Sequence, residues 1–397
     1  MSGKNMQANI NRLYVIKIAH WFMLTMPVIL LFYNASHLSV RHLFIAQAAY
    51  SLTIVLLEIP SGYAADRWGR KNTIVIGALF GFLGFLAYSI SSAFIVFVLA
   101  EIMLGIGQSF ISGADTAMLY DTLIAHKKEN DYLKIEGRMT SLGNFAEAFA
   151  GITGGLLAAI SPRLPFIGQA CIALIAIPAA LGLKEITLSE GKNKVTFRSI
   201  VNVFRDVVSK PSQLMIYMLF SSVIGSATLS MAWFAQPFFK VIHLPSALYG
   251  VLWTLLNISV AITAFVAFRI ERRWGEKNTT LAIGLFTIVA YIALSLTQTY
   301  WGLIILFMFY LVRGIATPLL KDSINKRITS DIRASVLSFR NLIIRLFFSA
   351  MSPLFGWAAD FYSLKTALML AGTTLAVLIV PLGILLYSWH LKYPEKK

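Results

Sequence analysis

Apolar residues run in long blocks along this chain, separated by short polar stretches. Twelve blocks stand out, at about 13–35, 42–65, 73–93, 95–122, 138–161, 164–184, 213–239, 246–270, 278–297, 300–324, 334–357 and 364–389. Each is long enough to cross the hydrocarbon core of a bilayer as a helix. The first carries Lys17 and His20 and has no small-residue cleavage site. It reads as a retained helix, not a signal peptide. The pattern therefore predicts an all-α membrane protein of twelve transmembrane helices.

Composition agrees with this pattern. Hydrophobic residues make up 57% of the chain and charged residues 13%. A soluble chain carries about twice that charged share. One long polar stretch, 185–212, falls between the sixth and seventh blocks. It divides the chain into an N-terminal bundle (1–184), a linker (185–212) and a C-terminal bundle (213–397). Within the linker, Ile200, Val203, Phe204 and Val207 follow helical spacing, opposite Arg198, Asn202, Arg205 and Asp206. That spacing predicts an amphipathic helix lying on the membrane surface.

A net charge of +16 suggests nucleic acid at first sight, but its distribution points elsewhere. Twelve spans place both termini on one side. Of the 34 Lys and Arg, 26 fall on that side, 4 in the opposite loops and 4 inside spans. Such asymmetry predicts cytoplasmic termini in a bacterial inner membrane. The basic surplus then serves topology and contact with anionic lipid. Cys171 stands alone, so the sequence holds no disulfide framework.

One hairpin carries most of the remaining information. Gly62-Tyr63-Ala64-Ala65-Asp66-Arg67-Trp68-Gly69-Arg70-Lys71 joins the second and third blocks. A weaker copy, Phe268 to Asn278, follows 206 residues later and keeps Trp274, Gly275, Lys277 and Asn278. Gly62, Asp66, Arg67, Gly69, Arg70 and Lys71 resemble the signature loop between helices 2 and 3 of the major facilitator superfamily. The second copy has Phe268 where that family has Gly, and Arg272 where it has Asp. The resemblance implies two pseudo-symmetric six-helix bundles and secondary transport of a small organic solute by alternating access. It also implies that Asp66 belongs to a cytoplasmic gate. Glu58 shares the face of Gly62 and Asp66, and its depth matches that of Arg340. The two are expected to form a salt bridge between the halves. In block five, Gly137, Ala146, Ala150, Gly151, Gly154 and Gly155 partly match a glycine run of the family's drug antiporters, with Gly151 in place of its proline.

Ionisable side chains inside a membrane are functional candidates by default, because stranding one there costs several kcal/mol. The set is Lys17, Glu58, Glu101, Asp115, Glu147, Arg313, Arg340 and Arg345. Glu101, Gln108 and Asp115 recur every seven residues and form one polar stripe. That stripe either faces a cavity, as the resemblance implies, or seams one helix to the next. Glu147 lies near mid-membrane and is the first proton-coupling candidate, followed by Asp115 and Glu101. Lys17, His20, Trp21, Gln108, Trp233, Gln236, Arg313 and Arg345 are the substrate-cavity candidates. Aromatic residues among them also suit helix packing, and Arg313 suits a structural pair as well as an anionic group.

No His/Cys cluster has metal spacing, no nucleophile pairs with His20, and no phosphate-binding glycine loop occurs. The sequence therefore predicts neither enzyme, cofactor nor metal. It predicts a monomeric transporter whose partners are a small molecule, protons and lipid. The leading expectation is proton-coupled movement, with drug or metabolite efflux foremost. Uptake of a metabolite or siderophore-like anion is one alternative; a non-transporting receptor on the same fold is another.

Overall fold

The computed structural model describes residues 3–186, 213–328 and 333–392. Among these residues there are fourteen α-helices, one 3-10 turn and no strand. The amphipathic stretch expected within 185–212 lies outside the described residues. The helices fall into two compact units, residues 1–192 with 245–254, and residues 193–244 with 255–397.

The first unit holds α1 (Gly3–Trp21), α2 (Ile29–Ala35), α3 (Val40–Trp68), α4 (Arg70–Ile90), α5 (Phe94–Ile111), α6 (Ala114–Ile124), α7 (Tyr132–Ile160) and α8 (Leu164–Gly182). Among the described residues, eleven helical stretches are long and apolar enough to cross a membrane. The twelfth expected span is the first, and it is broken. Its halves α1 and α2 are separated at residues 22–28, which include Pro27, a residue without an amide hydrogen. The amide freed at Leu24 donates to Gln169 Oε1 of α8 at 2.8 Å. A break at membrane depth is tolerated where protein groups satisfy the backbone in this way.

The fourth span also breaks, between α5 and α6. Gly113 there takes φ +84°, a left-handed conformation that favours glycine. Pro237, Pro318 and Pro353, by contrast, lie inside continuous helices. The real interruptions place Lys17, His20 and Asp115 beside free helix ends.

Close helix contact rests on missing side chains. A Cβ on Gly77 of α4 would stand 3.0 Å from the carbonyl oxygen of Gly107 on α5. On α7, a Cβ on Gly151 would stand 2.6 Å from Thr254 Oγ1, and one on Gly155 3.0 Å from the Gly250 amide nitrogen. Thus the glycine run of block five packs α7 against residues 245–254 of the same unit.

The second unit holds α9 (Gln213–Val241), most of α10 (Ala247–Trp274), α11 (Glu276–Leu296), α12 (Gly302–Asn325), α13 (Arg333–Phe361) and α14 (Leu364–Lys392). Its packing repeats that of the first: α11 lies against α12 and α14 as α4 lies against α5 and α8. Its core is aromatic. Phe234 packs near Tyr291 and Phe355, and Tyr291 donates to the carbonyl of Ala227 at 2.6 Å. Large apolar side chains such as Phe145, Phe265 and Val377 point outward, as a lipid-facing surface requires.

Candidate functional site

The polar stripe on α5 and α6 meets partners from other helices of the first unit at every member. Asp115 opens α6, where the helix dipole favours a carboxylate. Its Oδ1 accepts from the Thr116 amide at 2.7 Å, and its Oδ2 accepts from Lys17 Nζ at 3.2 Å. Lys17 also pairs with Glu136 Oε1 of α7 at 3.6 Å. The three side chains are 14%, 15% and 22% exposed, so the group is sheltered but not sealed. Lys17 Nζ lies 5.8 Å from the Trp21 ring centre, and Trp21 in turn covers Gly143 of α7. One turn along α1, His20 Nε2 and Gln108 Oε1 are 2.7 Å apart.

Glu101, the third stripe member, is only 3% exposed. Its Oε1 accepts from Gln47 Nε2 of α3 at 2.6 Å and from the Tyr88 hydroxyl of α4 at 2.7 Å. Tyr33 of α2 continues the chain, its hydroxyl 2.9 Å from that of Tyr88. Four helices thus converge on one enclosed carboxylate, and no cation pairs with it among the described residues.

The remaining candidates are each described within their own unit. Glu147 is half-buried on α7. Trp233 and Gln236 are 8% and 1% exposed, packed inside the second unit. The Arg313 guanidinium lies 5.4 Å from the Tyr310 ring centre. The backbone carbonyl of Arg345 accepts from Ser349 Oγ at 2.7 Å. Arg340 donates from Nε to Ser221 Oγ at 2.5 Å and from Nη1 to Asn341 Oδ1 at 3.3 Å. Glu58 and Asp66 are exposed on α3, and within the first unit a Cβ at Gly62 meets nothing within 4 Å.

The signature hairpin is tightly built. Gly69 adopts φ +85° between α3 and α4. Arg70 pairs with Asp121 of α6. The amides of Arg70 and Lys71 donate to the two carboxylate oxygens of Glu185 at 3.0 and 2.7 Å. Arg67 Nη1 reaches the Tyr63 hydroxyl at 3.4 Å.

The second hairpin has the same frame. Gly275 takes φ +79°, and Thr279 and Asn278 bond Gly275 O and Trp274 O as Thr73 and Asn72 bond Gly69 O and Trp68 O. Its ion pair is Glu276 with Arg327 Nη1, at 2.8 Å. Beside it, burial pulls the Lys326 ammonium down, but hydrogen bonds to Asp322 and Glu271 outweigh burial and hold it above the usual lysine range.

Sequence reading missed Glu136, Asp121 and Glu185, which lay at or beyond expected span ends. It also missed Gln47, Tyr33 and Tyr88, which are neutral. The signal for Asp121 was present, since Asp121 and Arg327 are separated by the same 206 residues as the hairpins.

Comparison with known proteins bears on this arrangement. The family model described as "Major Facilitator Superfamily" matches residues 14–350. "Multidrug resistance protein 2" of Bacillus subtilis (strain 168) is 28% identical over 166 residues, 42% of this chain and 40% of that protein. The alignment thus spans about two-fifths of that relative's length. "Quinolone resistance protein NorA" of Staphylococcus aureus (strain MRSA252) is 21% identical over 71% of this chain and 72% of its own length. The crystal structure of the nucleoside transporter NupG superposes with a TM-score of 0.78 at 16% identity, covering 99% of this chain and 100% of that one. That likeness concerns the fold alone.

Proposed function

The chain belongs to the Major Facilitator Superfamily, and from that premise we propose that it exports small organic solutes in exchange for protons by alternating access. The observation that carries this reading is the single ammonium of Lys17 shared by the carboxylates of Asp115 and Glu136. With both acids ionised, the group holds one negative charge too many. A sheltered charge left over is costly, so the group gains from one further positive charge. A proton on either acid restores neutrality. An organic cation resting on the carboxylates restores it equally well. One negative charge cannot serve both, so binding of either favours release of the other, which is the thermodynamic core of exchange.

The neighbourhood suits an aromatic solute. Trp21 offers a ring face beside Lys17, and His20 with Gln108 offers hydrogen bonds one turn away. The names of the multidrug and quinolone resistance relatives lend support to an exporter. The enclosed Glu101 cluster supports the same unit as the place where protons are handled.

The test is dye movement in everted membrane vesicles under an imposed pH gradient, with ethidium as the cationic aromatic probe. Wild-type protein is expected to accumulate it. Glu136→Gln and Asp115→Asn are expected to lose accumulation by tenfold or more, on the order of one lost charge interaction in a sheltered site. A wild-type protein that moves no dye under the gradient overturns the reading. Loss confined to Glu147→Gln moves the proton site from the Lys17 group to Glu147, about three turns further along α7.

A further inference from the structure

We propose that a crevice in the second unit binds an anionic phospholipid from the leaflet beside the basic loops, its phosphate held by Arg269 and Arg273. The crevice lies between the last turns of α10, the first turns of α11 and the middle of α12, and encloses about 400 Å³. Its walls are apolar, formed by Val266, Ile270, Ile283, Phe286, Val312 and Ile315. Arg269 and Arg273, one helical turn apart on α10, line it as well.

Three observations select the occupant. Neither arginine has a hydrogen bond or ion pair with an acid among the described residues. The nearby acids are already engaged: Glu271 and Asp322 hold Lys326, and Glu276 holds Arg327. The Arg269 guanidinium lies 5.4 Å from the Phe268 ring centre, but two guanidiniums without an acid partner at a membrane boundary still call for an anion, and the guanidinium fork matches a phosphate. The walls then decide which anion. A soluble phosphate would leave the apolar lining unused, whereas a phospholipid places an acyl chain along it. Basic pockets between transmembrane helices are suited to lipid headgroups in this way.

Position agrees with chemistry. Trp274 closes α10, half exposed, where aromatic side chains mark the edge of the hydrocarbon layer. Phe265 and Phe268 project outward on the preceding turns, 75% and 58% exposed. The repeat supplies an internal contrast. A crevice at the matching place in the first unit is lined by Trp68, Asn72, Val75 and Ile76, with no guanidinium. It is expected to accept lipid without preference for charge.

The experiment is lipid retention by the purified full chain, read by native mass spectrometry after exchange into equal amounts of phosphatidylglycerol and phosphatidylcholine. Wild type is expected to retain phosphatidylglycerol by about tenfold over phosphatidylcholine, the order expected for two basic side chains at a lipid surface. The double variant Arg269→Gln, Arg273→Gln should retain the two lipids equally. Arg272→Gln removes the same charge from a residue outside the crevice and should keep the preference. Should the double variant fail to fold, Arg273→Gln alone is read in the same way. Equal retention of both lipids by wild type overturns the proposal. So does an Arg272→Gln variant that loses as much preference as Arg273→Gln, since the effect is then general charge and not a site.

Discussion

The two hairpins share a frame and differ in the polarity of their ion pair. Arg70 and Glu276 occupy the same place, just after a glycine of positive φ. Their partners, Asp121 and Arg327, occupy the same place too, 51 residues further on. The first pair runs base to acid and the second acid to base. The repeat has therefore kept the position of an ion pair while exchanging its ends. Position is set by backbone geometry, which both halves share. Sign is free, because an ion pair depends on the product of its charges.

The exchange has one consequence that breaks the symmetry. A helix N-terminus carries partial positive charge and four unpaired amides. Glu276 answers that need for α11 from inside the helix. Arg70 and Lys71 put positive charge at the same end of α4. Glu185 then supplies the missing acid, accepting both amides. The first hairpin needs an external carboxylate because of its polarity.

Breaking the pairs is expected to have the largest effect. Asp121 and Glu276 are 6% and 8% exposed, so removing either partner strands the other. Asp121→Asn and Arg327→Gln should each cost about 3 kcal/mol, the low end for a buried pair because the Arg70 side chain is 24% exposed. Melting of the purified protein in detergent measures this. The charge-swapped variant, Arg70→Glu with Asp121→Arg, should recover about half the loss. A swap no more stable than its single variants would show that sign is not free.

The glycines come next. Gly69 and Gly275 have ψ of 153° and 154° with positive φ, a region essentially closed to side chains. An alanine at either should cost about 1–3 kcal/mol. The two costs should differ. A Cβ on Gly69 would stand 2.8 Å from Glu185 Oε2, while one on Gly275 meets nothing within 4 Å. Gly69→Ala is therefore expected to lower the melting temperature further than Gly275→Ala, and equal shifts would mean that the Glu185 contact yields freely.

Much of this frame was legible in the sequence. Glycines and charges at fixed spacing announced the first hairpin, and the Trp-Gly pair announced the second. The apolar blocks announced the helices, since hydrocarbon imposes their length. The partners were less legible. Asp121 and Glu136 sat near expected span ends, where a charge looks like ordinary loop chemistry. Gln47 and Tyr88 are neutral, so a search for ionisable groups passes over them, although together they hold Glu101. Trp233 and Gln236 look amphipathic in sequence but are packed inside their own unit. Contact across helices depends on rotation and depth, which hydropathy does not encode.

Glu185 offers the smallest effect and the sharpest contrast. It is exposed, so Glu185→Gln should cost only about 0.5–1 kcal/mol in the wild-type background, the range for a helix-end acid. In the charge-swapped background the sign should reverse. There residue 70 is itself a glutamate at the head of α4, and its amide still points at Glu185. Two carboxylates then crowd one helix end that needs only one. Glu185→Gln should relieve that repulsion and raise stability, leaving the first hairpin with the polarity of the second. The measured quantity is the coupling between Glu185→Gln and the swap in a double-mutant cycle. A coupling near zero would mean that Glu185 senses only the amides and not the charge at residue 70.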